Sequence, residues 1–68
     1  MINLAKKLGK NIKRIRTKQG LSQGDISRAL CMDRGYICNL ENGRKNPALH
    51  NIERIAKALG VEPFELLK

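Results

Sequence analysis

The stretch Ser22 to Pro47, SQGDISRALCMDRGYICNLENGRKNP, decides the fold. Ser22 and Asp33 are both residues of the type that cap helix N-termini. Each opens a helix-period apolar set, Ile26 and Leu30 behind the first and Ile37 and Leu40 behind the second. Only Cys31 and Met32 come between, so the spacing predicts helices over Gln23 to Leu30 and Arg34 to Asn42 joined by a tight turn. Two short helices joined in this way form a helix-turn-helix, the unit that presents its second helix to the major groove of DNA.

Outward from that stretch the chain stays helical. Leu4, Leu8, Ile12 and Ile15 form one apolar stripe on a helix from about Asn3 to Gln19, with Asn3 as cap and Gly20 as stop. Gly9 lies inside it and weakens it by about 1 kcal/mol relative to Ala, so fraying is expected in the first turn or two. Gly43 supplies a positive-φ stop to the second helix of the unit, and Arg44 to Pro47 form a basic loop. A further helix is expected from Ala48 or Leu49, with Leu49, Ile52, Ile55, Ala56 and Leu59 buried and Gly60 closing it. A last short helix runs from Pro63 to Leu67, with Pro63 at the first helical position. The expectation is one compact all-α domain of five short helices over residues 1–68, without repeats or strands.

Composition narrows the function. Aromatics are 3% of the 68 residues, so the core must be built from Leu, Ile and Ala. Fourteen Lys and Arg against six Asp and Glu give a net charge of +8. Lys6, Lys7, Lys10, Lys13, Arg14, Arg16 and Lys18 precede the first acidic residue, Asp25, and such a stripe favours a polyanionic partner. No apolar run approaches the roughly 18 residues of a membrane span, and no signal-peptide core is present, so a cytoplasmic protein without a membrane partner is expected. Cys31, Cys38 and the sole His50 lack zinc-ligand spacing, so no metal or cofactor is expected and the cysteines read as structural or surface thiols. Nucleophile–base pairs and phosphate loops are missing, which argues against an enzyme, and no effector domain for a small-molecule ligand is legible.

The second helix of the unit carries the chemistry. At about 100° per residue from Arg34, Cys38 falls at about 40°, Asn42 at about 80°, Gly35 at about 100° and Asn39 at about 140°. Ile37 and Leu40 lie opposite, with Tyr36 and Glu41 at the boundaries. Arg can bond guanine O6 and N7 together, and Asn can pair with adenine N6 and N7. Gly35 leaves a gap that would let the helix approach the groove closely, although it serves equally as a neutral exposed position.

The run SQ-x-D-I-S-x-x-L-x-M-D-x-x-Y-I-x-x-L-E-N-G-R-x-N-P-x-L-x-x-I-x-x-I-A-x-A-L-G-V resembles the Cro/CI-type helix-turn-helix (XRE) family of phage repressors and bacterial regulators, over about Ile12 to Leu67. On fewer residues, Asp33-Arg34-Gly35-Tyr36-Ile37 with Arg44-Lys45-Asn46-Pro47 is similar to controller proteins of restriction–modification systems. The resemblance implies a lambda-repressor-like five-helix fold and sequence-specific binding of a double-stranded operator, usually as a two-fold homodimer. Position by position, Arg34, Gly35, Cys38 and Asn39 match base-facing residues. Gln23 matches a glutamine that holds a phosphate and buttresses the recognition helix, and Asn42, Arg44 and Lys45 match backbone-contacting positions, with which Tyr36 is grouped. Arg16 matches an arginine that in phage repressors pairs with the glutamate matching Glu41. Two residues depart from the pattern. Ser27 stands where Ala is usual at the crossing of the two helices, and Cys31 where Gly is usual in the turn, which asks Cys31 for a positive φ.

The resemblance also suggests a symmetric dimer through the C-terminal helix and the adjoining end of the helix before it, and Pro63, Phe64 and Leu66 are the interface residues expected. Composition supports it, since one helical turn cannot bury Val61, Pro63, Phe64, Leu66 and Leu67 together. Two other functions fit parts of the chain. A nonspecific nucleic-acid or RNA binder would use the charge alone, but RNA readers stack bases on aromatics and only Tyr36 and Phe64 are present. The antidote half of a toxin–antitoxin pair is compatible with DNA binding and is not separated from it by these residues.

Overall fold

Asn3 begins the described part of the chain, residues 3–68 of a computed structural model, and its side chain accepts the Lys6 amide at 3.1 Å. This cap opens α1 (Leu4–Lys18). Ser22 opens α2 (Gln23–Leu30) through a reciprocal capping box: its hydroxyl accepts the Asp25 amide at 3.0 Å while the Asp25 carboxylate accepts the Ser22 amide at 2.8 Å. Then follow α3 (Arg34–Glu41), α4 (Leu49–Leu59) and a 3-10 turn at Pro63–Leu66. The class is all-α, as expected, with four α-helices among the described residues rather than five. The last element is a single 3-10 turn because four residues opened by Pro63 are too few for the α ladder.

Asp33 occupies the N-cap position of α3 in extended conformation, yet its side chain makes no capping bond. Its Oδ2 stands instead beside Gly35, 3.5 Å from where a Cβ would lie, and the Asp33 carbonyl takes the Tyr36 and Ile37 amides. Cys31 does adopt the left-handed conformation, at φ 53°, as its place in a glycine position implies. The turn it forms is closed by Met32 N–H donating to the Ser27 carbonyl at 3.0 Å and by the Ser27 hydroxyl donating to the Met32 carbonyl. From α4, the Arg54 guanidinium donates to the Leu30 carbonyl left unpaired at the end of α2.

The core is aliphatic: Leu8, Ile12 and Ile15 from α1 meet Ile26 and Leu30, Ile37 and Leu40, and Ile52, Ile55 and Leu59. Two expectations are corrected, and a third residue gains a reason. Leu4 and Leu49, placed in the buried stripes by their spacing, are 56% and 76% exposed, because each lies in its helix's first turn, on the rim of an open groove shared with Leu8, Ile52 and Leu67. Leu66, assigned to a dimer interface, is 0% exposed and belongs to the core, since the 3-10 turn points it inward beneath α1 and α4. Gly9, expected to weaken α1, has a packing reason for its place. It is buried where α1 crosses α3, and a Cβ there would collide with the Leu40 carbonyl and lie 2.7 Å from that of Glu41. The glycine lets two backbones touch at a position where its helix propensity is poor.

Candidate nucleic-acid interface

The tight turn and the Arg54 clamp set the start of α3, and the α1 crossing sets its end. Between those points Ile37 and Leu40 are buried and the opposite arc faces outward. Arg34 and Gly35 are exposed at its start, Cys38 and Asn39 are half-buried along it, and Asn42 is exposed at its close. The Asn42 side-chain amide donates to Cys38 Sγ at 3.6 Å. Tyr36 lies against the core margin with the rest of its ring in solvent. Beyond Gly43, Arg44 and Lys45 are exposed, and the Arg44 amide donates to the Asn39 carbonyl at 2.9 Å, folding the basic loop against the end of α3.

Behind this face lies a buried polar network. Arg16 grips Glu41 with two parallel bonds, Nε to Oε2 at 2.6 Å and Nη2 to Oε1 at 2.8 Å, and spends Nη1 on the Leu21 carbonyl at 2.8 Å. Gln23 donates to Glu41 Oε1 at 3.0 Å. One carboxylate thus joins α1, α2 and α3. Among the described residues no buried side-chain polar atom lacks a partner. Burial pushes the Glu41 carboxyl up, but hydrogen bonds from Arg16 and Gln23 and the charges of Arg16 and Lys13 outweigh it and hold the group below the usual carboxylate range. The bond to Glu41 raises Arg16 further against its own desolvation.

Two residues beside the arc escaped the sequence reading. Asn51 and Arg54 of α4 line an open groove with Tyr36, Asn39 and Lys45. Their one signal was the polar three-residue spacing on the flank of α4's apolar stripe. At the other end of the fold Phe64 is 63% exposed and Pro63 half-buried, so of the proposed interface set only these two face outward. Among the described residues no group of three His, Cys, Asp or Glu is arranged to hold a metal, and no helix is long and apolar enough to cross a membrane.

Comparison with known proteins agrees with this architecture. A helix-turn-helix family model matches residues 12–66. The chain is 39% identical over 66 residues to control protein C.BamHI of Bacillus amyloliquefaciens, covering 96% of this chain and 82% of that protein. Its fold matches that of the restriction–modification controller protein C.AhdI from Aeromonas hydrophila with a TM-score of 0.86 and 39% identity, over 91% of this chain and 94% of that one. It matches the hypothetical transcription factor NHTF from Neisseria with a TM-score of 0.90 and 40% identity, over 96% of this chain and 75% of that one. The chain belongs to the XRE-type helix-turn-helix family of DNA-binding transcriptional regulators, with restriction–modification controller proteins among its relatives.

Proposed function

We propose that the protein is a sequence-specific regulator that inserts α3 into the major groove of a double-stranded operator. The observation that carries this reading is the outward arc of Arg34, Gly35, Cys38 and Asn39 on a helix whose other face is buried and whose end is anchored by the Glu41 network. Gln23, Tyr36, Asn42, Arg44 and Lys45 then serve as backbone contacts that set register without reading bases. The likeness to proteins named control and controller proteins supports control of gene expression as the outcome, in the cytoplasm where the operator lies. Selection of duplexes from a random DNA pool, with footprinting of the winner, tests the reading. Recovery of one sequence family is expected, and a pool that never converges would leave only nonspecific binding.

The regulator acts as a homodimer on a palindromic site in the same proposal. Phe64, 63% exposed beside half-buried Pro63, supports a C-terminal interface, since an exposed aromatic with apolar neighbours is costly to leave in water. Two-fold symmetry would set the two α3 helices about 34 Å apart, one turn of DNA. Sedimentation of wild type and Phe64→Ser decides the point: loss of dimer in the variant supports the interface, and undiminished dimerisation removes Phe64 from it.

A further inference from the structure

The basic residues of α1 spread over one broad outer arc whose two flanks meet different neighbours. With Leu8, at the core, taken as zero, Gly9 and Arg16 fall at about 100° and 80°, on the side that meets α3. Lys13 and Lys6 follow at about 140° and 160°, and Lys10 at about 200°. Arg14, Lys7 and Lys18 lie at about 240° to 280°, next to Asn11 at about 300°. Asn11 donates its side-chain amide to the Leu66 carbonyl at 2.8 Å, so this second row borders the C-terminal turn. Lys6 and Lys13 therefore flank α3, Lys7, Arg14 and Lys18 flank the C-terminal turn, and Lys10 lies on the outer line between them, in register with Lys6 and Lys13 along the helix.

The first row continues the basic loop. A Cβ at Gly43 would lie 2.7 Å from Lys6 Cγ and 3.0 Å from Lys6 Cα, so Lys6 packs under the residue that leads into Arg44 and Lys45. Gly43 itself has φ 73°, and the absence of a side chain there permits both the turn and the approach of α1. Lys13 is near enough to Glu41 for its charge to help keep that carboxylate ionised. Lys6, Lys10 and Lys13 are all exposed.

We propose that Lys6, Lys10 and Lys13 of α1 form, with Arg44 and Lys45, one continuous phosphodiester-binding track beside α3, while Lys7, Arg14 and Lys18 stand clear of the DNA. The inference rests on the duplex-binding reading above. From Lys6 to Lys13 the helix rises about 10 Å. Successive phosphates of one strand advance about 3.4 Å along the axis, so the row is long enough to meet two or three of them. A general field effect would weigh both rows equally, because each carries three charges. A built track weighs only the first.

The test compares Lys6→Gln/Lys10→Gln/Lys13→Gln with Lys7→Gln/Arg14→Gln/Lys18→Gln, which remove equal charge and keep the side-chain stems. Binding to a duplex recovered by the wild type is measured across a salt series. The first variant is expected to lower the slope of log K against log salt by about 2–3 per monomer, at about 0.9 for each phosphate no longer neutralised, and the second by less than about 1. Preference among sequences should stay the same in both. Lys10→Gln/Lys13→Gln, which leaves the Lys6–Gly43 packing untouched, should show about two thirds of the effect and guards against a folding defect in the triple variant. Equal slope changes for the two rows overturn the track and leave duplex binding standing. A wild-type protein that binds no duplex overturns the functional reading itself, and the track with it.

Discussion

Ser27 and Cys31, the two residues that depart from the family pattern, act on the same turn. Cys31 holds φ 53°, a conformation disfavoured for any residue with a Cβ, and the Ser27 hydroxyl closes the turn by donating to the Met32 carbonyl next to it. The hydroxyl thus offsets part of the strain that glycine would have avoided. Ser27→Ala is expected to destabilise the domain by about 1 kcal/mol, the net worth of one such hydrogen bond. Cys31→Gly should stabilise it by about 0.5–1 kcal/mol. Because both act on one turn, the double variant should not be additive, which denaturant melts of all four proteins will measure.

Glu41→Gln should cost about 3 kcal/mol or more, because the Arg16 guanidinium would keep its burial and lose its counter-charge. A loss under about 0.5 kcal/mol in denaturant melts would mean that the network does not hold the helices together.

The same pair sets an acid limb. Glu41 is held below its ordinary pKa in the folded state, so its contribution is present above the unfolded value of about 4.3 and is lost as pH falls through the lowered one. Wild-type stability should therefore drop more steeply below about pH 4 than that of Glu41→Gln, whose position 41 does not titrate. Parallel curves for the two proteins would assign the acid limb to other carboxylates.

Gly9→Ala should destabilise the fold by about 1–3 kcal/mol, the range of overpacking, although Ala is the better helix former by about 1 kcal/mol. The sign of the change separates the two effects. A more stable variant would show that α1 can back away from the Leu40 and Glu41 carbonyls at little cost.

Arg34→Ala is expected to weaken specific binding by about 1–3 kcal/mol and relax the preference at one base pair of each half-site, and Asn39→Ala at another. Arg44→Ala should instead weaken all sequences alike. Comparing the sites selected by each variant checks both statements, and a shifted preference for Arg44→Ala would make the loop a reader of bases or groove shape.

Helix limits and the outward arc of α3 were legible because they depend on neighbours within one turn. Asn3, Ser22 with Asp25, and Gly43 act on amides and carbonyls no more than four residues away. The 100° advance then places Arg34 and Asn39 opposite Ile37 and Leu40 whatever surrounds them. Depth of burial was not legible, since periodicity says which side of a helix turns inward and nothing of where the facing element ends. Leu4 and Leu49 stand exposed on the rim of an open groove, while Leu66, in a segment too short to show any period, is closed in on all sides. Gly9 reads as a defect along the chain and as a requirement across it, because the Leu40 carbonyl that forbids a side chain there comes from a helix about thirty residues away. Local covalent and hydrogen-bond geometry wrote the elements into the sequence, and only the crossing of α1 over α3 determined which lysines of α1 lie beside α3.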